Sequence, residues 1–120
     1  MNCPLIVEDN QFIRSALMRT LRRHFQITEV KVAESVIDAI DILRDGDVDF
    51  IISDFNLKGV PKGSDLAAWV TKNAPALGDK FLFFTDDSEA FNYRMPVILK
   101  SSSLEALVHF ISVLLNHGTP

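Results

Sequence analysis

Cysteine is almost missing from this chain of 120 residues: Cys3 stands alone. No intramolecular disulfide can form, and no Cys/His pair has the spacing of a zinc site. A basic surplus is missing too. Twelve Lys and Arg face sixteen Asp and Glu, a formal net charge of −4, so there is no excess to neutralise nucleic-acid phosphates. No apolar run approaches the roughly 20 residues of a membrane-spanning helix, and the N-terminus lacks the basic segment and long apolar core of a secretory signal. These gaps lead us to expect a cytoplasmic domain with no membrane attachment and no nucleic-acid partner. Repeats, low-complexity tracts and interdomain linkers are also lacking. Residues 1–120 therefore read as one domain, long enough to bury roughly 65% of its unfolded surface.

What is present is an alternation of short apolar runs and helical patterns. Pro4-Leu5-Ile6-Val7, Phe50-Ile51-Ile52, Phe81-Leu82-Phe83-Phe84 and Pro96-Val97-Ile98-Leu99 are continuously apolar, as strands covered on both faces are. The stretch 27–33 alternates more and suits an edge strand. Between them Phe12, Ile13, Ala16, Leu17, Leu21 and Phe25 recur at helical spacing, and Val36, Ile37, Ile40 and Leu43 repeat the pattern up to a stop at Gly46. Asp65 to Asn73 is a shorter candidate ended by Pro75, and a last helix is expected to start at Ser102 with Glu105 completing a capping box. Strands alternating with helices predict a parallel α/β sheet.

Ligands of such sheets bind beyond the carboxyl ends of the strands. The first run ends in Glu8-Asp9, the third in Asp54, the fourth in Thr85-Asp86 and the fifth in Lys100, while the edge strand ends in Glu34-Ser35. Each residue also has an ordinary reading. Glu8-Asp9-Asn10 suits a helix cap, Asp54 an Asx-turn, Thr85 strand filler and Lys100 a solvated strand end. Their joint order favours a shared rim of three carboxylates, a hydroxyl and an amine.

VEDN, IISDFNLKG, FFTDD and VILK, in that order and each closing a predicted strand, resemble the receiver domain of two-component response regulators along essentially the whole chain. The resemblance implies a flavodoxin-like, doubly wound, five-stranded parallel sheet of order 2-1-3-4-5 with helices on both faces. It implies Asp54 as phosphoryl acceptor, with Thr85 and Lys100 contacting phosphoryl oxygens. It also implies Mg²⁺ held by Asp9, Asp54 and the backbone carbonyl of Asn56, with Glu8 acting through water. A histidine kinase or histidine phosphotransfer protein would be the partner, and any chemistry would be self-phosphorylation and self-dephosphorylation rather than action on external substrates.

The sequence departs from the family pattern in four places. Leu57 is followed by Lys58 where proline is usual, and Gly63 falls one residue late, so Gly59-Val60-Pro61-Lys62 holds an insertion; Lys58 either reaches the rim or stays solvated. Asp86 and Asp87 follow Thr85 where a small residue is usual; one would cap a short helix, and Asp86 would slow phosphorylation if it faced the pocket. Ser101 replaces the proline after Lys100, whose peptide is commonly cis in the family. Without proline the cis form costs about 2.5–4 kcal/mol, so the bond is trans or held under strain. Thr85 and Lys100 are also too close in sequence for a full fourth helix, which must be shortened or missing. Val97 stands at the usual switch-aromatic position, with Tyr93 lying too early.

The last helix directs Leu104, Leu107, Val108, Ile111, Leu114 and Leu115 toward the sheet and carries Ala106, Phe110 and Val113 on a neighbouring stripe. That second stripe either packs against the remnant of the fourth helix or forms a homodimer or partner face. The competing reading of the whole is a pseudo-receiver, a phosphorylation-independent interaction or dimerisation module. A metal-dependent phosphohydrolase is disfavoured because Asn56 occupies the place of its general acid. His24, His109 and His117 read as surface or packing residues.

Overall fold

The computed structural model describes residues 3–57 and 59–116. Its strands are β1 (Pro4–Val7), β2 (Lys31–Ala33), β3 (Phe50–Ser53), β4 (Phe81–Phe84) and β5 (Val97–Ile98), all parallel in the order β2-β1-β3-β4-β5. The helices are α1 (Gln11–Phe25), α2 (Val36–Asp45), α3 (Gly63–Asn73) and α4 (Leu104–Asn116), and the expected flavodoxin-like topology is present.

Strict alternation along the strands explains why their apolar runs are unbroken. Leu5, Val7, Ile51, Phe81 and Phe83 point into one core with α2 and α3, and Ile6, Phe50, Ile52 and Leu82 into a second core with α1 and α4. In β1, β3 and β4 both faces are covered, so no position is left for a polar residue until the strand ends, whereas β2 at the edge opens on a half-buried Lys31.

Several boundaries differ from the expectation. The edge strand begins at Lys31, not residue 27, because residues 26 and 27 stop α1. Gln26 adopts the left-handed conformation (φ 55°), its N–H donates to Arg22 O, and the Ile27 N–H returns to Leu21 O while Ile27 is buried. β5 keeps only two residues, since Leu99 already accepts from Ser102 N–H in a turn. The last helix is capped by Ser103, whose Oγ accepts from Ala106 N–H, so the capping box between Ser102 and Glu105 does not form. Phe12 and Ile37 lie on the solvent side of their helices, 84% and 60% exposed. Leu17 and Leu21 anchor α1 and Val36, Ala39 and Leu43 anchor α2.

A 3-10 turn, Ser88–Asn92, stands where a helix between β4 and β5 would be. On α4, Leu107, Ile111 and Leu114 are buried, but Leu104 at its first turn is exposed. Ala106 and Phe110 are half-buried, with Phe110 packed on the second core, and Val113 is exposed. No described helix is long and apolar enough to cross a membrane.

Candidate functional site

Each rim residue is placed by the strand ladder. The Glu8 N–H donates to Ala33 O at 3.0 Å and the Asp54 N–H to Val7 O at 2.9 Å, so the first residue beyond β1 and beyond β3 is still tied to its neighbour. On the other side the Thr85 N–H donates to Ile98 O at 3.1 Å and the Lys100 N–H to Thr85 O at 3.2 Å. Glu8, Asp54 and Thr85 are buried, at 2%, 6% and 2% exposure.

The side chains converge. Lys100 Nζ lies 3.0 Å from Glu8 Oε1 and 3.2 Å from Asp54 Oδ2. Carboxylate oxygens of Glu8, Asp9 and Asp54 all fall within 4.8 Å of one another. Among the described residues, the carboxylates of Glu8, Asp9 and Asp54 and the Lys100 ammonium share a partly dehydrated place, an oxygen-rich setting suited to a hard divalent cation. The donor set therefore fits Mg²⁺, with Glu8, Asp9 and Asp54 on its protein side. Burial pushes the Glu8 carboxyl above its ordinary value, the hydrogen bond from Lys100 opposes that rise, and the Asp54 charge adds to it. Burial works against the Lys100 ammonium, but the Glu8 hydrogen bond and the two carboxylate charges outweigh it, and its pKa is raised.

The ordinary readings of these residues coexist with the shared rim. Asn10, not Glu8 or Asp9, caps α1, accepting from the N–H groups of Phe12 and Ile13. That frees Glu8 to pair with Lys100 while its other oxygen accepts from Asn10 N–H. Asp54 does make an Asx-turn: its Oδ1 accepts from Asn56 N–H at 3.2 Å, leaving Oδ2 toward Lys100.

The departures are also resolved. In the loop before α3, Lys62 Nζ donates to Leu57 O, and Gly63 packs on the backbone that leaves β3 at Asp54 and Phe55. A Cβ on Gly63 would meet Asp54 O at 2.5 Å and Phe55 Cα at 2.8 Å. Asp87 caps the 3-10 turn through Glu89 N–H and accepts from Asn56 Nδ2 at 2.7 Å; these two bonds hold its carboxyl below the ordinary value. The Asp87 N–H donates to Thr85 Oγ1 at 3.2 Å. Asp86 accepts from Ser101 N–H, and the Lys100–Ser101 peptide is trans. Val97 is half-buried, and Tyr93 instead lies against Phe55, ring centroids 5.4 Å apart. Lys58 and His117 lie outside the described residues.

Spacing along the chain did not reveal the Asn56–Asp87 and Asp86–Ser101 bonds. They span 31 and 15 residues, and only the adjacency of β3, β4 and β5 brings them together. Arg14 was missed as well. It donates to Glu8 O and Glu34 Oε1, bracing the loop that carries the first acids.

The model of the response regulator receiver domain matches residues 5–109. The chain belongs to that family. Among solved structures, it is similar to SdrG from Sphingomonas melonis Fr1, at 28% identity and TM-score 0.75 over 96% of this chain and 97% of that one. The response regulatory domain of mrkE from Klebsiella pneumoniae matches at 24% identity and TM-score 0.82, covering 95% of each chain. A Saccharomyces cerevisiae co-crystal of the histidine phosphotransfer protein Ypd1 with the receiver domain of Ssk1 matches at 24% identity and TM-score 0.74, over 92% of this chain and 86% of that one. No curated protein matches in sequence. The chain is thus a receiver domain of two-component signalling, a family that is generally non-enzymatic.

Proposed function

We propose that this receiver accepts a phosphoryl group on Asp54 from a phosphohistidine of a kinase or phosphotransfer protein. The observation that carries the reading is Lys100 Nζ held between Glu8 and Asp54 beside a three-carboxylate cluster. A carboxylate oxygen of Asp54 would attack phosphorus as the P–N bond to the donor imidazole breaks, leaving an aspartyl phosphate. Lys100 would follow a phosphoryl oxygen as the negative charge moves outward, and the Thr85 hydroxyl would donate to another. Mg²⁺, held by Asp9, Asp54 and the Asn56 carbonyl with Glu8 behind, would supply charge neutralisation. The Thr85 rearrangement would then be relayed through the loop that also holds Asp87.

The same reading gives the α4 stripe of Ala106, Phe110 and Val113 a use as a homodimer face. Half of that stripe is already occupied by the core, so association would rest on Val113 and Leu104.

The test is intact mass after incubation with Mg²⁺ and a small acyl phosphate. One added phosphoryl group that requires both Asp54 and metal is the expected result, with sedimentation shifting toward dimer in the same sample. A folded protein that takes no phosphoryl group and binds no Mg²⁺ would leave the pseudo-receiver reading, an interaction module independent of phosphorylation.

A further inference from the structure

Asp86 and Ser101 follow the two pocket residues Thr85 and Lys100, and they are joined to each other. The Ser101 N–H donates to Asp86 Oδ1 at 2.9 Å across 15 residues of sequence. This bond bears on the part of the rim with the least support. β5 is two residues long, Lys100 sits in the turn beyond it, and the Lys100 N–H reaches Thr85 O at 3.2 Å. The turn closes on itself through Ser102 N–H and Leu99 O. On the far side of Lys100, the tie back to the β4 exit is the Asp86 carboxylate.

We infer that Asp86 is a positioning residue: its carboxylate clips the turn that carries Lys100 and so keeps Nζ aimed between Glu8 and Asp54. A carboxylate accepting from a backbone N–H is a stronger tie than a neutral acceptor would make. A proline at position 101 would have no N–H to offer, so Ser101 and Asp86 act as a pair. One residue on, Asp87 ties the same segment to Asn56 behind the acceptor. The segment from Thr85 to Asp87 is thereby fastened on both sides, to the Lys100 turn and to the Asp54 loop. The clip itself does not depend on phosphorylation; its effect on phosphoryl transfer rests on the reading of Asp54 as acceptor.

Asp86→Ala and Asp86→Asn separate the clip from the charge, because asparagine keeps an acceptor oxygen and loses the negative charge. In the isotope-labelled full chain, Asp86→Ala is expected to speed hydrogen exchange of the Ser101 amide by about threefold to tenfold. It should also move the Lys100 Nζ resonance toward that of a free lysine. Asp86→Asn, which keeps a weaker neutral acceptor, should lie between wild type and Asp86→Ala in both. With acyl phosphate and Mg²⁺, Asp86→Ala should take up phosphoryl groups about threefold to tenfold more slowly, and Asp86→Asn at least as fast as wild type. If Ala and Asn variants behave alike in exchange, resonance and rate, the clip is overturned. If both merely react faster, Asp86 acts through its charge alone and the inference fails. A wild type that takes no phosphoryl group would sink the acceptor reading, and Ser101 exchange with the Lys100 signal would still decide the clip.

Discussion

Glu8 and Asp54 leave strands β1 and β3, which pair over four residues each, whereas Thr85 and Lys100 leave β4 and β5, paired over two. On the carboxylate side, the ladder continues into Glu8 and Asp54, and Gly63 presses on the Asp54 and Phe55 backbone. On the other side the ladder also runs on, through Thr85 N–H to Ile98 O and Lys100 N–H to Thr85 O, but a 3-10 turn replaces a helix and side-chain bonds from Asp86 and Asp87 add to the fastening. The difference teaches where precision is built into this domain. The carboxylate cluster rests on the longer main-chain pairing, and the residues that would follow the phosphoryl group rest on a shorter pairing reinforced by a few polar ties.

Lys100→Met should break this comparison most. It removes the cation that the structure places against Glu8 and Asp54, leaving Glu8 at 2% exposure beside another carboxylate. A loss of about 2–3 kcal/mol in urea unfolding at neutral pH is expected, below the figure for a fully buried pair because the lysine is partly wet. Phosphoryl uptake should fall at least about a hundredfold. The pH dependence follows from two raised pKa values. The Lys100 contribution is complete below its ordinary 10.5 and is lost as pH rises through its elevated folded value. Protonated Glu8 contributes fully below its ordinary 4.5, and that contribution fades as pH rises through its raised value. The deficit of Lys100→Met should therefore shrink on acidification as Glu8 takes up its proton. An equal deficit from pH 4 to pH 8 would contradict the pairing.

Gly63→Ala tests the rigid side. The new Cβ would collide with Asp54 O and the Phe55 backbone, which cannot swing away as a side-chain tip could. Overpacking against fixed backbone is expected to cost about 2 kcal/mol even after the usual gain of alanine over glycine in a helix. It should displace Asp54 and slow phosphoryl uptake together with the loss of stability. A stable Gly63→Ala protein with full uptake would show that the acceptor strand is more pliant than the ladder suggests.

Much of this architecture was legible in the sequence, and for a physical reason. Strands buried on both faces must be short and apolar throughout, so Pro4–Val7 and Phe81–Phe84 announce themselves, and the polar residue that ends each one marks the rim. Glu8, Asp54, Thr85 and Lys100 were readable because each sits one or two residues past such a run. Less legible was whatever depends on neighbours in space. Ile27 reads as strand by type, but its N–H closes α1 and its side chain is buried with that helix. Leu104 reads as core by spacing, but it falls on the first turn of α4, beyond the cover of the sheet. Asp86 reads either as a helix cap or, if it faces the pocket, as an added charge there, and its partner Ser101 N–H appears only once β4 and β5 lie side by side. Periodicity encodes which face is buried; it does not encode which loop a carboxylate will find.

Asp9→Asn gives the smallest effect. Asp9 is half-buried with its carboxylate oxygen within 4.8 Å of those of Glu8 and Asp54. In metal-free buffer, the substitution relieves a repulsion of about 1 kcal/mol and also gives up the interaction that Asp9 itself makes, so Tm should move by no more than about 4 °C for a chain of this size. Adding Mg²⁺ should stabilise the wild type by mass action and the variant less, because a ligand that binds only the folded state adds stability that grows with the logarithm of its affinity. The wild-type melting curve should therefore move up relative to that of the variant as Mg²⁺ is titrated in. An Asp9→Asn protein that gains as much from Mg²⁺ as wild type would remove Asp9 from the metal set. A variant less stable than wild type without metal would mean that its carboxylate is engaged in a tie worth more than the repulsion. In either case, the carboxylate side would no longer be the half of the rim defined by charge awaiting a cation.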